Sequence, residues 1–397
     1  MVLRRSEPQR QAGRLHSGSM TASSWRAARR GAGLTVVFGL LLVGGSAAGA
    51  WGDRAAPLPG RPGSADAAPA ALSPDQAEHL VASGSDRWAA YYSAQDYADF
   101  ARGLDGQYLG VGLVVDRAQD GGTVIAEVPA GSPADRAGIA AGDRLLAVDG
   151  TPVDGLPVTE VVARLRGRAD GGAPAVPGSS VLLAVRRPGG PVRQLTVGRA
   201  VLAAQDVEQD QPAPGVLRIS VHAFTSGVGE QVRDVLRGTP HRGVLLDLRG
   251  NSGGLLDEAA ATASVFLDGG PIASYQVGGE LRELTAPPGG DTATPLVVLV
   301  DGGTMSAAEL LAGALQDRCR AVLVGTRTFG KGTVQQPTRL ADGSVLERTV
   351  GRYYTPQGRS PDGTGLLPDV PAADPAAAER LALHVLTGLG PDPSGGR

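Results

Sequence analysis

Apolar and polar residues alternate along the second half of the chain in the manner of an α/β domain. Three runs are almost wholly apolar, as expected for strands covered on both faces: Gly243–Leu248, Leu296–Val300 and Ala321–Gly325. Around these runs, apolar residues recur at helical spacing and predict helices over Val228–Arg237, Leu255–Phe266 and Ala307–Asp317. We therefore predict an α/β core over residues 201–372, followed by a C-terminal helix and tail over residues 373–397.

Residues 106–200 have another pattern, in which short β-rich runs are separated by turns containing Gly, Pro and Asp. The predicted strands are Gly110–Val115, Thr123–Val128, Arg144–Val148, Ser180–Arg186 and Val192–Val197. Helical segments are predicted between them, over Pro133–Ala137 and Val158–Arg166. The pattern indicates a separate β-rich domain that contains two helices.

The first 52 residues have the composition of an export signal. Residues 1–30 contain seven Arg and one Glu, and residues 31–51 are uncharged and weakly apolar. This order predicts either a cleaved signal peptide or a retained membrane anchor, and the sequence leaves both open. In both cases we expect an exported, extracytoplasmic protein that is secreted or membrane-anchored. Residues 53–72 are rich in Pro, Ala and Gly and are predicted to be a flexible linker.

Residues 73–105 are predicted to form an N-terminal helical segment. Ser73 followed by Pro74 is a typical helix start. A second helix is predicted over Asp86–Ala101, and its apolar side consists of aromatic residues: Trp88, Tyr91, Tyr92, Tyr97 and Phe100. We expect these side chains to pack on the rest of the protein. Contact with a second copy in a homodimer is the alternative.

The composition excludes one class of partner and singles out one residue. The chain has 397 residues and a net charge of −3, so no basic surface for nucleic acid is predicted. Cys319 is the only cysteine, which rules out an intrachain disulfide. Lys331 is the only lysine, although arginines are abundant. Because a buried lysine, unlike arginine, can lose its proton near neutral pH, Lys331 is a candidate for proton transfer.

Two predicted strand-to-helix junctions contain small residues where an anion or a nucleophile could lie. In the first, Gly253 and Gly254 separate a strand from a helix, a geometry that exposes backbone N–H groups. In the second, Ser306 precedes the predicted helix Ala307–Asp317. Ser306 is either an N-cap, with Glu309 completing a capping box, or a nucleophile at the positive end of the helix. The sequence lacks the G-x-S-x-G motif of α/β-hydrolases.

A third junction contains the single lysine. Residues 325–332 nearly match the phosphate-binding motif G-x-x-x-x-G-K-[ST], but Gly332 stands where that motif needs a hydroxyl side chain. A nucleotide-binding protein is therefore one alternative. The other is that Lys331, buried among apolar residues, is a general base whose amine is held in place by Gln335.

The segment from Ser306 to Gln335 resembles the catalytic region of the carboxyl-terminal processing (tail-specific) peptidases. Residues 353–370 resemble the closing segment of the same family. The resemblance implies a crotonase/ClpP-like α/β serine peptidase core with an inserted PDZ domain and an N-terminal helical segment. It also implies that the reaction needs no metal and no organic cofactor.

The family resemblance assigns roles to individual residues. It implies that Ser306 is the nucleophile, that Lys331 is the general base and that Gln335 orients the lysine. It further implies an oxyanion hole formed by backbone N–H groups of these residues: Ala307 and either Gly253 or Gly254. The expected activity is that of a serine endopeptidase with a Ser–Lys dyad.

Residues 106–200 resemble a PDZ domain, most clearly over residues 131–150. The resemblance implies that this domain binds the free C-terminus of protein or peptide substrates, with the peptide adding as a strand. The residues expected to bind this tail are Tyr108, Leu109, Gly110, Val111, Gly112 and Leu113. Arg166, at the end of the predicted PDZ helix, is expected to couple tail binding to the active site. The alternative function is an inactive, exported PDZ scaffold that binds protein C-termini.

Overall fold

The computed structural model of the protein describes residues 72–118, 120–167, 175–277 and 280–389. The predicted signal or anchor, nearly all of the predicted linker and the tail after Leu389 lie outside these residues. Among the residues that are described, no helix is long and apolar enough to cross a membrane.

The described chain contains both helices and strands. The helices in chain order are α1 Pro74–Ala82, α2 Ala94–Leu104, α3 Pro133–Arg136, α4 Val158–Leu165, α5 Val228–Gly238, α6 Leu256–Phe266, α7 Ala307–Asp317 and α8 Pro375–Leu389. The strands are β1 Ala90–Tyr92, β2 Gln107–Gly110, β3 Val114–Arg117, β4 Thr123–Glu127, β5 Arg144–Val148, β6 Thr151–Pro152, β7 Ser180–Arg186, β8 Val192–Gly198, β9 Ala200–Ala203, β10 Val207–Ala213, β11 Val216–Val221, β12 Gly243–Asp247, β13 Pro271–Val277, β14 Glu280–Thr285, β15 Leu296–Val300, β16 Val322–Gly325, β17 Thr333–Arg339, β18 Val345–Tyr354 and β19 Val370–Pro371.

The core contains a six-stranded sheet with the strand order β10-β11-β12-β15-β16-β19, in which all neighbours from β11 onwards are parallel. Successive side chains of a strand point to opposite faces. Val244, Leu246 and Val298 pack in one large cluster with apolar residues of α5, α6 and α7. Leu245 and Leu299 pack on the other face, against α8. Because both faces are covered, the predicted α/β core and its continuous apolar strands are confirmed.

A second sheet has the order β1-β18-β13-β14, with β17 paired to β18, and it includes a strand from the N-terminal segment. The predicted helix Asp86–Ala101 is wrong in its first part, because Tyr91 and Tyr92 pair with β18 and the helix α2 starts only at Ala94. The side chain of Ser93 caps that helix by accepting a hydrogen bond from the N–H of Asp96. Sheet pairing thus overrides the helical spacing of the aromatic residues.

The predicted PDZ domain forms a sheet with the order β3-β4-β5-β7-β8, with β6 paired to β5. The predicted strand Gly110–Val115 is split into β2 and β3. The chain turns between them at Gly112, whose φ is +78°, and the carbonyl of Val111 accepts a hydrogen bond from Ala134. The strands β2 and β9 pair with each other as the chain enters and leaves the domain. Since β1 precedes the PDZ domain and belongs to a core sheet, the PDZ domain is an insertion in the core.

Candidate active site

Ser306 lies in the junction between β15 and α7, directly before the helix. Its φ of +63° and ψ of −120° are unusual for a residue with a side chain and indicate local backbone strain. Its position is fixed by neighbouring bonds, such as that from the N–H of Met305 to the carbonyl of Asn251 (2.9 Å). The hydroxyl is fully buried and has no hydrogen-bond partner among the described residues.

Lys331 lies in the loop between β16 and β17 and is also fully buried. Its Nζ has no hydrogen-bond partner in the described part of the chain and lies 4.9 Å from the centre of the Trp88 ring. Burial lowers the pKa of Lys331 to about 8, although the carboxylates of Glu347, Asp86 and Glu309 oppose this change. About a tenth of this lysine is therefore neutral at pH 7, far more than of an ordinary lysine.

Glu309, in the first turn of α7, connects the loops of Ser306 and Lys331. Its Oε2 accepts hydrogen bonds from the N–H of Ser306 (3.0 Å) and from the N–H of Lys331 (2.8 Å). Its Oε1 accepts from the N–H of Gly330 (2.9 Å) and from the hydroxyl of Thr328. Burial raises the pKa of Glu309, while these four hydrogen bonds oppose the rise. The Glu309 half of the predicted capping box is therefore present.

The same contacts argue against nucleotide binding. In a phosphate-binding loop, the backbone N–H groups around the lysine point at the phosphates. Here the N–H groups of Gly330 and Lys331 donate to the carboxylate of Glu309. A protein anion therefore occupies the position that a phosphate would need.

Tyr353 is a second link between the two loops. Its hydroxyl lies 2.8 Å from the carbonyl oxygen of Ser306 and 3.1 Å from that of Lys331. Glu309 and Tyr353 together hold the backbones of Ser306 and Lys331 at fixed positions in one buried site.

Gln335 lies in the same buried region but makes different contacts from those predicted. Its Nε2 donates to the hydroxyls of Thr333 (2.8 Å) and Thr349 (3.2 Å). Its Oε1, like the Nζ of Lys331, has no hydrogen-bond partner among the described residues. The orientation of Lys331 by Gln335 therefore stays a prediction.

Of the predicted oxyanion-hole residues, Gly253 lies against Ser306 and Ala307 follows it in the chain, whereas Gly254 lies against the backbone of Phe224. A Cβ atom on Gly253, whose φ is +101°, would lie 2.9 Å from the Cβ of Ser306, so only glycine fits there. The N–H of Gly253 donates to the side chain of Asn251 (2.8 Å). Ala307 is the first residue of α7, where N–H groups lack partners within the helix. The roles of Gly253, Gly254 and Ala307 in binding an oxyanion remain predictions.

Four residues of this site are not predicted from the sequence. Trp88 is predicted only as part of the apolar side of a helix, and Asp86, Glu347 and Tyr353 are not singled out. Asp86 accepts hydrogen bonds from the N–H (2.7 Å) and hydroxyl (2.8 Å) of Thr349, which fixes the N-terminal segment to β18. The sequence signal for Glu347 is that it is a charged residue directly after the apolar residues Val345 and Leu346.

The predicted tail-binding residues of the PDZ domain lie on two elements. Tyr108, Leu109 and Gly110 belong to β2 and pair with β9. Val111, Gly112 and Leu113 form the turn before β3, which is an edge strand of the described PDZ sheet and contacts α4.

Two of the predicted tail-binding residues have buried side chains. Those of Leu109 and Val111 are buried, so only their backbones could meet a peptide. The guanidinium carbon of Arg166 lies 5.3 Å from the centre of the Tyr108 ring.

The fold and the site define an α/β serine peptidase that carries a PDZ domain. Residues 215–372 match Peptidase family S41, and residues 99–170 match the PDZ domain. The C-terminal processing peptidase, chloroplastic, of Tetradesmus obliquus is 35% identical over 312 residues, which cover 75% of this chain and 67% of the relative. The carboxy-terminal processing protease CtpA of Bacillus subtilis is 30% identical over 305 residues, which cover 76% of this chain and 64% of the relative.

The chain therefore belongs to the carboxyl-terminal processing peptidases, a family of serine peptidases. It spans about two thirds of the length of the curated relatives that it matches. A putative S41 protease from Bacteroides fragilis is 20% identical, with a TM-score of 0.50, over 85% of this chain and 89% of that protein. This structural similarity supports the fold.

Proposed function

We propose that this protein is an endopeptidase that uses Ser306 as nucleophile and Lys331 as general base, and that selects substrates by their free C-terminus through the PDZ domain. One observation carries the proposal of the dyad. The carboxylate of Glu309 binds the N–H groups of both Ser306 and Lys331, so the two loops that hold the buried hydroxyl and the buried amine are fixed to each other.

The proposed reaction begins with Lys331 in its neutral form. Its amine takes the hydroxyl proton of Ser306 while Oγ bonds to the carbonyl carbon of the substrate. The N–H groups of Ala307 and of Gly253 or Gly254 stabilise the oxyanion. Because the N–H of Gly253 already donates to Asn251, Gly254 is the better candidate of the two glycines.

The remaining steps return the dyad to its starting state. The Lys331 ammonium gives its proton to the leaving amine as the C–N bond breaks, which leaves an ester on Ser306. Water then attacks the ester and gives a proton to Lys331. When the C–Oγ bond breaks, that proton returns to Ser306.

Substrate access requires movement of the residues that cover the dyad. The side chains of Ser306 and Lys331 are fully buried, and the rings of Trp88 and Phe329 lie next to each other near Lys331, with centres 5.9 Å apart. The described structure is therefore a closed form of the proposed enzyme.

Support for tail recognition comes from the PDZ domain. The edge strand β3, with the turn Val111–Leu113 before it and α4 beside it, offers the backbone groups that an added peptide strand needs. The contact between Arg166 and Tyr108 connects the end of α4 to the two-stranded ribbon of β2 and β9, through which the chain enters and leaves the PDZ domain.

The proposal is tested with the full chain and one unfolded test protein, whose apolar C-terminus is either free or amidated. We expect cleavage by the wild type, with faster cleavage of the free tail. Ser306→Ala and Lys331→Arg should lower the rate by about a thousand-fold or more. Arginine keeps the charge but cannot act as a base, so persistent cleavage by Lys331→Arg would exclude the lysine base. Tail binding without cleavage by any form would favour the scaffold function.

The pH dependence gives an independent test of the dyad. The pKa of Lys331 is lowered to about 8, and only the neutral amine can accept a proton. The value of kcat/KM should therefore rise with pH, reach half of its maximum at about pH 8 and level off above about pH 9. A rate that is already constant below about pH 6 would contradict a lysine base with this pKa.

We also infer that the protein acts outside the cytoplasm. The support is the basic segment 1–30 followed by the apolar segment 31–51. Fractionation of cells that express the full chain tests this, and recovery only in the cytoplasm would contradict it.

A further inference from the structure

The carboxyl group of Glu347 is buried in the core and has no role in the mechanism above. Glu347 lies on β18, opposite Ala90 of β1 and Pro337 of β17. Its side chain is fully buried, and neither oxygen has a hydrogen bond of normal geometry to a described residue. Because a buried carboxylate without hydrogen bonds of normal geometry is costly, its presence calls for a physical explanation.

Four ionisable groups of other elements surround this carboxyl group or act on its neighbours. Lys331, in the loop before β17, lowers the pKa of Glu347, and Tyr92 of β1 is close enough to do the same. Tyr97 of α2 faces the carboxyl group as well, and Arg339 of β17 faces Tyr97. The geometry places the two groups in one region, because the ring of Trp88 covers the Nζ of Lys331 at 4.9 Å and Ala90, two residues after Trp88, pairs with Glu347. Lys331 is the cation whose charge acts on Glu347.

The other carboxylates that face Lys331 have their own partners. Glu309 accepts four hydrogen bonds from backbone and hydroxyl groups. Asp86 accepts two from Thr349. Among the carboxylates that act on Lys331 in the described chain, Glu347 alone has no hydrogen bond of normal geometry, and only the hydroxyl of Tyr92 lies close enough to stabilise its charge.

We propose that Glu347 is a positioning residue that acts through Lys331: its buried carboxyl group controls the pH at which the lysine becomes neutral. The proposal rests on the proposed role of Lys331 as the base. When Glu347 is ionised, its negative charge favours the ammonium form and delays loss of the proton. When Glu347 is protonated or replaced by a neutral residue, the amine loses its proton more easily.

The two groups titrate in the same pH range. Burial raises the pKa of Glu347 to about 7, against the opposing effect of Lys331, and burial lowers the pKa of Lys331 to about 8. Two groups with such close values share their protons, so a change at one moves the titration of the other. The glutamate thus balances the desolvation of the lysine and keeps its titration near neutral pH.

The experiment uses Glu347→Gln, which keeps the shape of the side chain and removes its charge. The first readout is kcat/KM against pH, whose acid limb should move to lower pH by about one unit. Glu347→Asp keeps the charge and should restore most of the wild-type profile. Glu283→Gln, the same change at an exposed position on β14, should leave the profile unchanged.

The second readout observes the lysine itself and does not depend on activity. Because Lys331 is the only lysine in the chain, full-length protein labelled with isotopic lysine gives a single side-chain NMR signal. In the Ser306→Ala background, which prevents self-cleavage, the midpoint of this signal should move to lower pH when Glu347→Gln is added. An unmoved midpoint in a folded Glu347→Gln protein overturns the proposal.

The two readouts separate failure of this proposal from failure of the proposed function. If the NMR midpoint moves and the acid limb of kcat/KM does not, the coupling between Glu347 and Lys331 stands and Lys331 is not the base. If neither moves, Glu347 has no influence on Lys331. If Glu347→Gln does not fold, the NMR titration of Glu347→Asp tests the proposal instead. Because the aspartate side chain is shorter, the midpoint should still move to lower pH, by less than is expected for Glu347→Gln, and an unmoved midpoint overturns the proposal.

Discussion

At the scale of single residues, the site depends on a lysine that is kept away from water. Lys331 is the only lysine of the chain and is fully buried, and burial is the main cause of its lowered pKa. The ring of Trp88, from a segment far away in the sequence, covers its Nζ. The aromatic face attracts the ammonium, but the lowered pKa indicates that exclusion of water has the larger effect.

This balance predicts the result of shortening Trp88. Trp88→Ala should let water reach Lys331 and raise its pKa, so the acid limb of kcat/KM should move to higher pH by about half a unit or more. Trp88→Phe keeps an apolar cover and should change the limb less. A limb that moves to lower pH in Trp88→Ala would show that attraction by the ring, and not exclusion of water, dominates.

At the scale of elements, the sequence predicts regular packing well and pairing between distant segments poorly. β15 and α7 have the predicted bounds, because apolar residues repeat with the strand and helix periods of a buried core. The sequence singles out Ser306 and Lys331 as candidates because the loops that carry them contain distinctive residues. It does not predict β1 or the contacts of Trp88 and Glu347, since these depend on pairing of β1 with β18. Local spacing carries no information on such pairing.

The loop between β12 and α6 provides a matched pair of glycines for a prediction at this scale. Gly253 and Gly250 both have positive φ, so the backbone strain of alanine at either position should cost about 1 kcal/mol of stability, and the clash of the new Cβ adds to this cost at Gly253. Only at Gly253 does the new Cβ meet Ser306, at 2.9 Å from its Cβ, whereas Gly250 has open space around it.

We therefore expect Gly253→Ala to lower kcat about a hundred-fold or more, and Gly250→Ala to change it by less than about three-fold. Thermal unfolding and initial cleavage rates measure the two effects separately. Equal loss of activity in both variants would mean that backbone strain alone, and not contact with Ser306, disturbs the site.

At the scale of the whole molecule, the chain builds its site from both sides of the inserted domain. β1 precedes the PDZ domain and contributes to the sheet that carries β17 and β18. The ribbon of β2 and β9 is the covalent entry and exit of the PDZ domain. We therefore propose that a shift of the PDZ domain would pull on the end of the segment that holds Trp88 over Lys331.

The contact between Arg166 and Tyr108 is the place to test this coupling. Arg166 caps the C-terminus of the PDZ helix α4, and Tyr108 belongs to the ribbon, so their contact joins the PDZ domain to its connection with the core. In Arg166→Ala, the ratio of cleavage rates for free and amidated tails should fall toward one, because tail binding no longer moves the ribbon. The control is Arg164→Ala, two residues earlier in α4. It removes an ion pair with Glu160 instead and should keep the wild-type ratio of cleavage rates.

Two further measurements decide between coupling and loss of tail binding. The affinity of each variant for a free-tail peptide should stay within about three-fold of the wild type if Arg166 transmits binding but does not create it. Arg166→Lys keeps a cation over the ring and should retain part of the tail dependence. If Arg166→Ala cleaves both substrates with the wild-type ratio, the coupling passes through another contact and this role of Arg166 is wrong.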